Sequence, residues 1–98
     1  MLTAAGRRKL RARAHHLKPV VLIGQNGVSD AVMSEVTRAL DDHELIKIRF
    51  RGLDRHARGI EVARVCDTLA AELVGNIGGT AILFRERPET RASKRSES

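Results

Sequence analysis

The sequence predicts one α/β domain of the α+β kind, with elements in the order α-β-α-β-α-β-β around a four-stranded mixed sheet. Three observations carry this. Apolar residues recur at helical spacing in three segments, they alternate or run together in four short ones, and the two kinds of segment interleave along the chain. At 98 residues with 42% hydrophobic side chains, the chain suits a single modest core and is too short for two.

The first element is a helix within TAAGRRKLRARAHHLK. After Thr3 it has no β-branched residue and no proline, and it is rich in Ala, Leu, Arg and Lys. Leu10, Ala14 and Leu17 form a narrow apolar stripe, with Arg7, Arg11, His15 and Lys18 as a cationic stripe beside it. Pro19 ends the helix, because a residue before proline avoids the α region. Val20-Val21-Leu22-Ile23 is a continuous apolar run, which predicts a short interior strand buried on both faces.

Gly24-Gln25-Asn26-Gly27 follows. Asn-Gly between apolar residues is a hairpin signal, but the next segment begins a helix. Ser29 is a good N-cap, Asp30 suits the first turn, and Val28 and Met33 are spaced as a hydrophobic staple. Val32, Val36 and Leu40 continue the apolar face. A helix start excludes a second hairpin strand, so the Gly-x-x-Gly becomes a strand-to-helix loop.

From Ile46 the chain alternates: Ile46, Ile48 and Phe50 face the core, and Lys47, Arg49 and Arg51 face outward. GLDRHARG reads as a polar loop with glycine at both ends. Val62, Cys66, Leu69, Ala70 and Leu73 mark a third helix, and residues 73–85 a strand pair turning at Gly78-Gly79. Beyond Glu86 apolar periodicity stops. The domain is placed at residues 1–87, with 88–98 a disordered polar tail.

The net charge of +6 is one-sided. Residues 1–18 hold six basic side chains and no acid, and the rest of the chain is balanced. Such asymmetry points to a polyanion. With no Trp or Tyr and only two Phe, stacking platforms for single strands are scarce, so backbone and shape should dominate any nucleic-acid contact. One cysteine, no apolar run of roughly 18 residues and no signal-peptide core lead to the expectation of a reduced, cytoplasmic, monomeric protein with no membrane contact.

Glycines let a ligand approach the backbone, and the free N–H groups of the following helix favour an anion, so the Gly24–Gly27 loop is a candidate phosphate cradle. No Gly-Lys-Ser/Thr follows it and no Gly-x-Gly-x-x-Gly is present, which removes P-loop and dinucleotide readings. His15, His16, His43 and His56 lack zinc-ligand spacing with one another or with Cys66, so no metal and no cofactor is expected. Cys66 lies on an apolar stripe as a small core residue. Asp41, Asp42 and Glu44 read as a solvated helix end, and nothing requires catalysis.

Three segments, LRARAHHLKPVVLIGQNGVSDAV, ALDDHELIKIRF and LAAELVGNIGGTAILFR, together resemble the YhbY-like RNA-binding proteins, whose module in plants is the CRM domain. The resemblance covers about residues 2–87. It implies a fold similar to the C-terminal domain of translation initiation factor three, and binding of structured ribosomal RNA and large-subunit precursors during ribosome assembly. By analogy with KH domains, Gly24, Gln25, Asn26 and Gly27 would meet the RNA backbone. Arg8, Lys18, Lys47 and Arg49 match basic family positions, and Arg7, Arg11, His15 and Arg51 would extend that surface. The loop centre carries no cation where many relatives have lysine, so backbone N–H groups and the helix dipole are expected to do the holding. A reading from another class is a protein-interaction adaptor that docks its basic N-terminal helix on ribosomal or other acidic protein surfaces.

Overall fold

A computed structural model describes residues 2–87. The elements are α1 (Ala4–Ala14), β1 (Pro19–Ile23), α2 (Asp30–His43), β2 (Leu45–Phe50), α3 (Arg55–Leu69), β3 (Glu72–Ile77) and β4 (Thr80–Phe84). The four strands form one mixed sheet in the order β1-β2-β4-β3. β1 and β2 are parallel, and β4 runs antiparallel to both β2 and β3. It follows that β3 is parallel to β2, so α2 and α3 each connect parallel strands. The 77–80 turn, by contrast, makes an antiparallel hairpin. The order of elements and the mixed sheet are as the sequence predicts.

Alternation along the strands builds two cores. Ile46, Ile48 and Phe50 of β2, Val21 and Ile23 of β1, and Ala81 and Leu83 of β4 pack with Val36 and Leu40 of α2 and Val62 and Val65 of α3. On the opposite face Leu45, Val74 and Ile82 pack under Leu10 and Ala14 of α1. The sheet is therefore sandwiched, two helices on one side and one on the other. At about 25 cal/mol per Å² of buried apolar surface, such burial is the main force holding the layers.

Four expectations are corrected. β1 is an edge strand and is not buried on both faces: Val20 and Leu22 are 49% and 58% exposed. The reason is lateral, since α1 lies against β2 and β3 and leaves β1 uncovered on that side. Next, α1 stops at Ala14, with His15 as its C-cap. Leu17 is consequently outside both cores, and Lys18 leads into β1 off the helix.

Third, the segment read as a loop after β2 contains the start of α3. Asp54 caps that helix by accepting the Ala57 N–H at 2.8 Å, which places Arg55–Gly59 inside it. Fourth, α3 buries Val62 and Val65, with Cys66 and Leu69 partly buried. Ala70 is its left-handed C-cap, φ 53°, and Leu73 belongs to β3. The polar tail, 88–98, lies outside the described residues.

Candidate nucleic-acid interface

Parallel strands β1 and β2 end side by side, and the Gly24–Gly27 loop closes the end of β1. The Gly24 carbonyl accepts the Gly27 N–H at 3.0 Å, making a tight turn with Gln25 and Asn26 exposed at its tip. Val28, immediately after, is buried in the core with Met33 packed on the same cluster. Ser29 Oγ accepts the Val32 N–H at 3.2 Å, so α2 starts as its cap predicts.

The loop is fixed from outside by α3. Glu61 Oε2 accepts the Val28 N–H at 3.2 Å, and Arg64, ion-paired to Glu61 at 3.0 Å, donates to the Val28 carbonyl. Gly27 has φ +78°, and a Cβ there would stand 3.1 Å from Glu61 Oε1. The positive φ favours glycine, and any added Cβ would crowd the Glu61 carboxylate. Gly24 differs: its φ is not positive, and a Cβ on it would meet nothing within 4 Å. The fold itself does not demand glycine at position 24.

On the other flank, the Arg51 N–H donates to the Ile23 carbonyl at 2.8 Å, holding Arg51 beside the base of the loop. Gly52 follows at φ +87°, and a Cβ on it would come within 3.0 Å of Gln25 Cβ. Arg49 is exposed and lies level with Leu22 of β1. Gly24, Gln25, Asn26, Gly27, Arg49 and Arg51 are thus brought to one end of the sheet.

The remaining cations are spread out. Lys47 is half-buried, and its Nζ donates to the Leu17 carbonyl at 2.9 Å, which ties the connection after α1 to β2. Arg11 is exposed, but its stem lies over β3, where a Cβ on Gly75 would be 3.1 Å from Arg11 Cδ. Three strand spacings, roughly 14 Å, separate β3 from β1. Arg7 and Arg8 are on α1, whereas His15 and Lys18 belong to the connection before β1. Lys18 lines an open groove with Arg13, His16, Leu17, Val20 and His43. The helix stripe Arg7-Arg11-His15-Lys18 is thus not continuous, because the helix ends before Lys18.

Two loop amides are already used: Gly27 N–H by Gly24, and Val28 N–H by Glu61. Donors for an anion at this end are therefore the Gln25 and Asn26 amides and those at the start of α2 ahead of the capped Val32 N–H. Other arginines serve the fold. Arg85 bonds Asp41 at 2.6 Å and the Leu69 carbonyl at 2.9 Å, and Arg87 lies 3.8 Å from Glu44. Burial, then the nearby Asp67 and Glu72 carboxylates, raise the Cys66 thiol above its ordinary value. Among the described residues no group of three or more His, Cys, Asp or Glu is placed to hold a metal, and no helix is long and apolar enough to cross a membrane.

Sequence reasoning missed Glu61 and Arg64. Thirty-three positions separate Glu61 from the amide it holds, and no local pattern announces such a contact.

Fold and site together define a small α+β domain that presents a glycine turn and arginines at the carboxyl ends of two parallel strands. The family model described as the CRS1 / YhbY (CRM) domain matches residues 2–85, and the chain belongs to that family. It is 35% identical over 88 residues to a Pseudomonas aeruginosa protein named "Probable RNA-binding protein", covering 90% of this chain and 85% of that one. A Haemophilus influenzae protein named "RNA-binding protein" is 37% identical over 82 residues, covering 84% and 83%. A solution structure of a Staphylococcus aureus candidate RNA-binding protein superposes with a TM-score of 0.78 at 28% identity, covering 88% of this chain and 90% of that one.

Proposed function

We propose that this protein binds structured ribosomal RNA or large-subunit precursors and assists ribosome assembly, as a cytoplasmic monomer and without catalysis. The observation that carries the reading is Gly24. It sits at the mouth of a rigid turn flanked by exposed Arg49 and Arg51, with no internal reason to be glycine. Close approach of an RNA backbone supplies that reason. Leu22, exposed beside Arg49, and Val20, exposed nearer the start of the same strand, offer apolar surface to sugars and bases. Family membership and the names of the relatives support RNA as the partner.

The test is titration of purified protein with large-subunit ribosomal RNA at physiological salt. Replacing Gln25 and Asn26 together by Asp sets two negative charges on the phosphate path and should weaken binding while leaving the fold intact. Unchanged affinity in that folded variant would remove the loop from the interface. No binding of naked ribosomal RNA by the wild type would favour docking on an acidic protein surface instead.

A further inference from the structure

A second groove of about 430 Å³ opens between the first turns of α3 and the β3–β4 hairpin, lined by Arg55, Arg58, Gly59, Val62, Asn76 and Gly78. Three of these choices work against the local fold. Arg55 and Arg58 put cations in the first turns of a helix whose first turn carries no acid, where the helix dipole disfavours them. Gly59 lies inside α3, where glycine is a poor helix former, yet a Cβ on it would meet nothing within 4 Å. Local rules broken together around one groove mark a site that serves something outside the fold.

The groove's chemistry states what it takes. Two guanidiniums match a phosphate, one of them partly anchored by Arg58 Nη1 donating to the Leu53 carbonyl at 3.5 Å. Val62 gives an apolar floor, the missing side chain at Gly59 leaves a flat wall, and the exposed Asn76 amide offers both a donor and an acceptor to a base edge. We infer that this groove holds one unpaired nucleotide of a bound RNA strand, its phosphate between Arg55 and Arg58 and its base edge on Asn76. The inference rests on the RNA-binding reading and adds a second contact, formed by α3 and the hairpin and separate from the Gly24–Gly27 turn.

The experiment uses the full chain and two labelled RNAs, a short hairpin with an unpaired loop and the same stem closed as a blunt duplex. Gly59→Leu fills the groove with a strong helix former, so the variant should melt at or above the wild-type temperature. It should bind the looped hairpin about tenfold more weakly and the duplex as before, the tenfold being the loss of about one hydrogen-bonded base contact. Arg55→Gln should flatten the log–log salt dependence on the hairpin by about 0.7. Equal affinity for the hairpin in the folded Gly59→Leu variant, or an equal loss on both RNAs, would overturn the assignment. Failure of the wild type to bind either RNA would instead bring down the RNA-binding reading on which it stands.

Discussion

Gly27 and Glu61 define the loop between them. One carboxylate oxygen of Glu61 takes the Val28 amide at 3.2 Å, and the other stands 3.1 Å from where a Cβ on Gly27 would be. The turn at the end of β1 is therefore shaped by α3 as much as by its own residues.

The two glycines of this loop should respond differently to alanine. Gly27→Ala meets both a positive φ and the Glu61 carboxylate, and should cost about 2 kcal/mol in chemical denaturation. Gly24→Ala should leave stability within about 0.5 kcal/mol and weaken ribosomal RNA binding. An equal stability loss in both variants would contradict the distinction.

Glu61→Ala removes the acceptor for the Val28 N–H and the partner of Arg64 together. A loss of about 1–2 kcal/mol is expected. Faster amide exchange should be confined at first to Val28 and its neighbours, which hydrogen-exchange mass spectrometry or NMR can resolve.

Arg49→Gln and Arg51→Gln should each reduce the log–log salt slope of RNA binding by about 0.9 on duplex regions. Arg85→Gln serves as the contrast, because its side chain bonds Asp41 and the Leu69 carbonyl inside the fold. It should leave the salt slope unchanged and lower the melting temperature.

Gly59→Ala should stabilise the protein by about 0.8 kcal/mol, the difference in helix propensity, since no neighbour obstructs the added methyl. A lower melting temperature would mean that position 59 has a packing role.

Cys66 sets a pH dependence at the alkaline end. Burial and the two nearby acids raise its thiol in the folded state, so the native protein keeps that proton where the unfolded chain has released it. Stability is unaffected below the ordinary thiol range and falls as pH climbs from there toward the raised folded value. Alkylation by iodoacetamide at neutral pH should be slower for the folded protein than for the urea-unfolded chain.

Much of this was legible because it is local. Ser29, Asp30 and the Val28–Met33 staple announce α2 within six residues, and the alternation of Ile46, Ile48 and Phe50 gives β2 its inner face. What escaped depends on packing at a distance. The exposure of Val20 and Leu22 follows from where α1 lies across the sheet, which no periodicity encodes. The start of α3 was hidden because Gly59 and a polar RHAR segment imitate a loop, although Asp54 was available as a cap. For the candidate site, the loop and the outward Arg49 and Arg51 were visible in the sequence. The Glu61–Arg64 clamp arises only when α3 packs against the loop before α2, and the groove beside Asn76 only when the hairpin folds back toward α3.

The uncovered edge of β1 carries a hazard as well as an opportunity. An outer strand with exposed Val20 and Leu22 is a template for edge-to-edge aggregation between copies. Pro19 at its start removes one backbone donor, and the strand is only five residues long before Gly24 turns the chain away. The same brevity that ends β1 at the Gly24–Gly27 turn limits how many backbone groups this edge can offer to a second sheet.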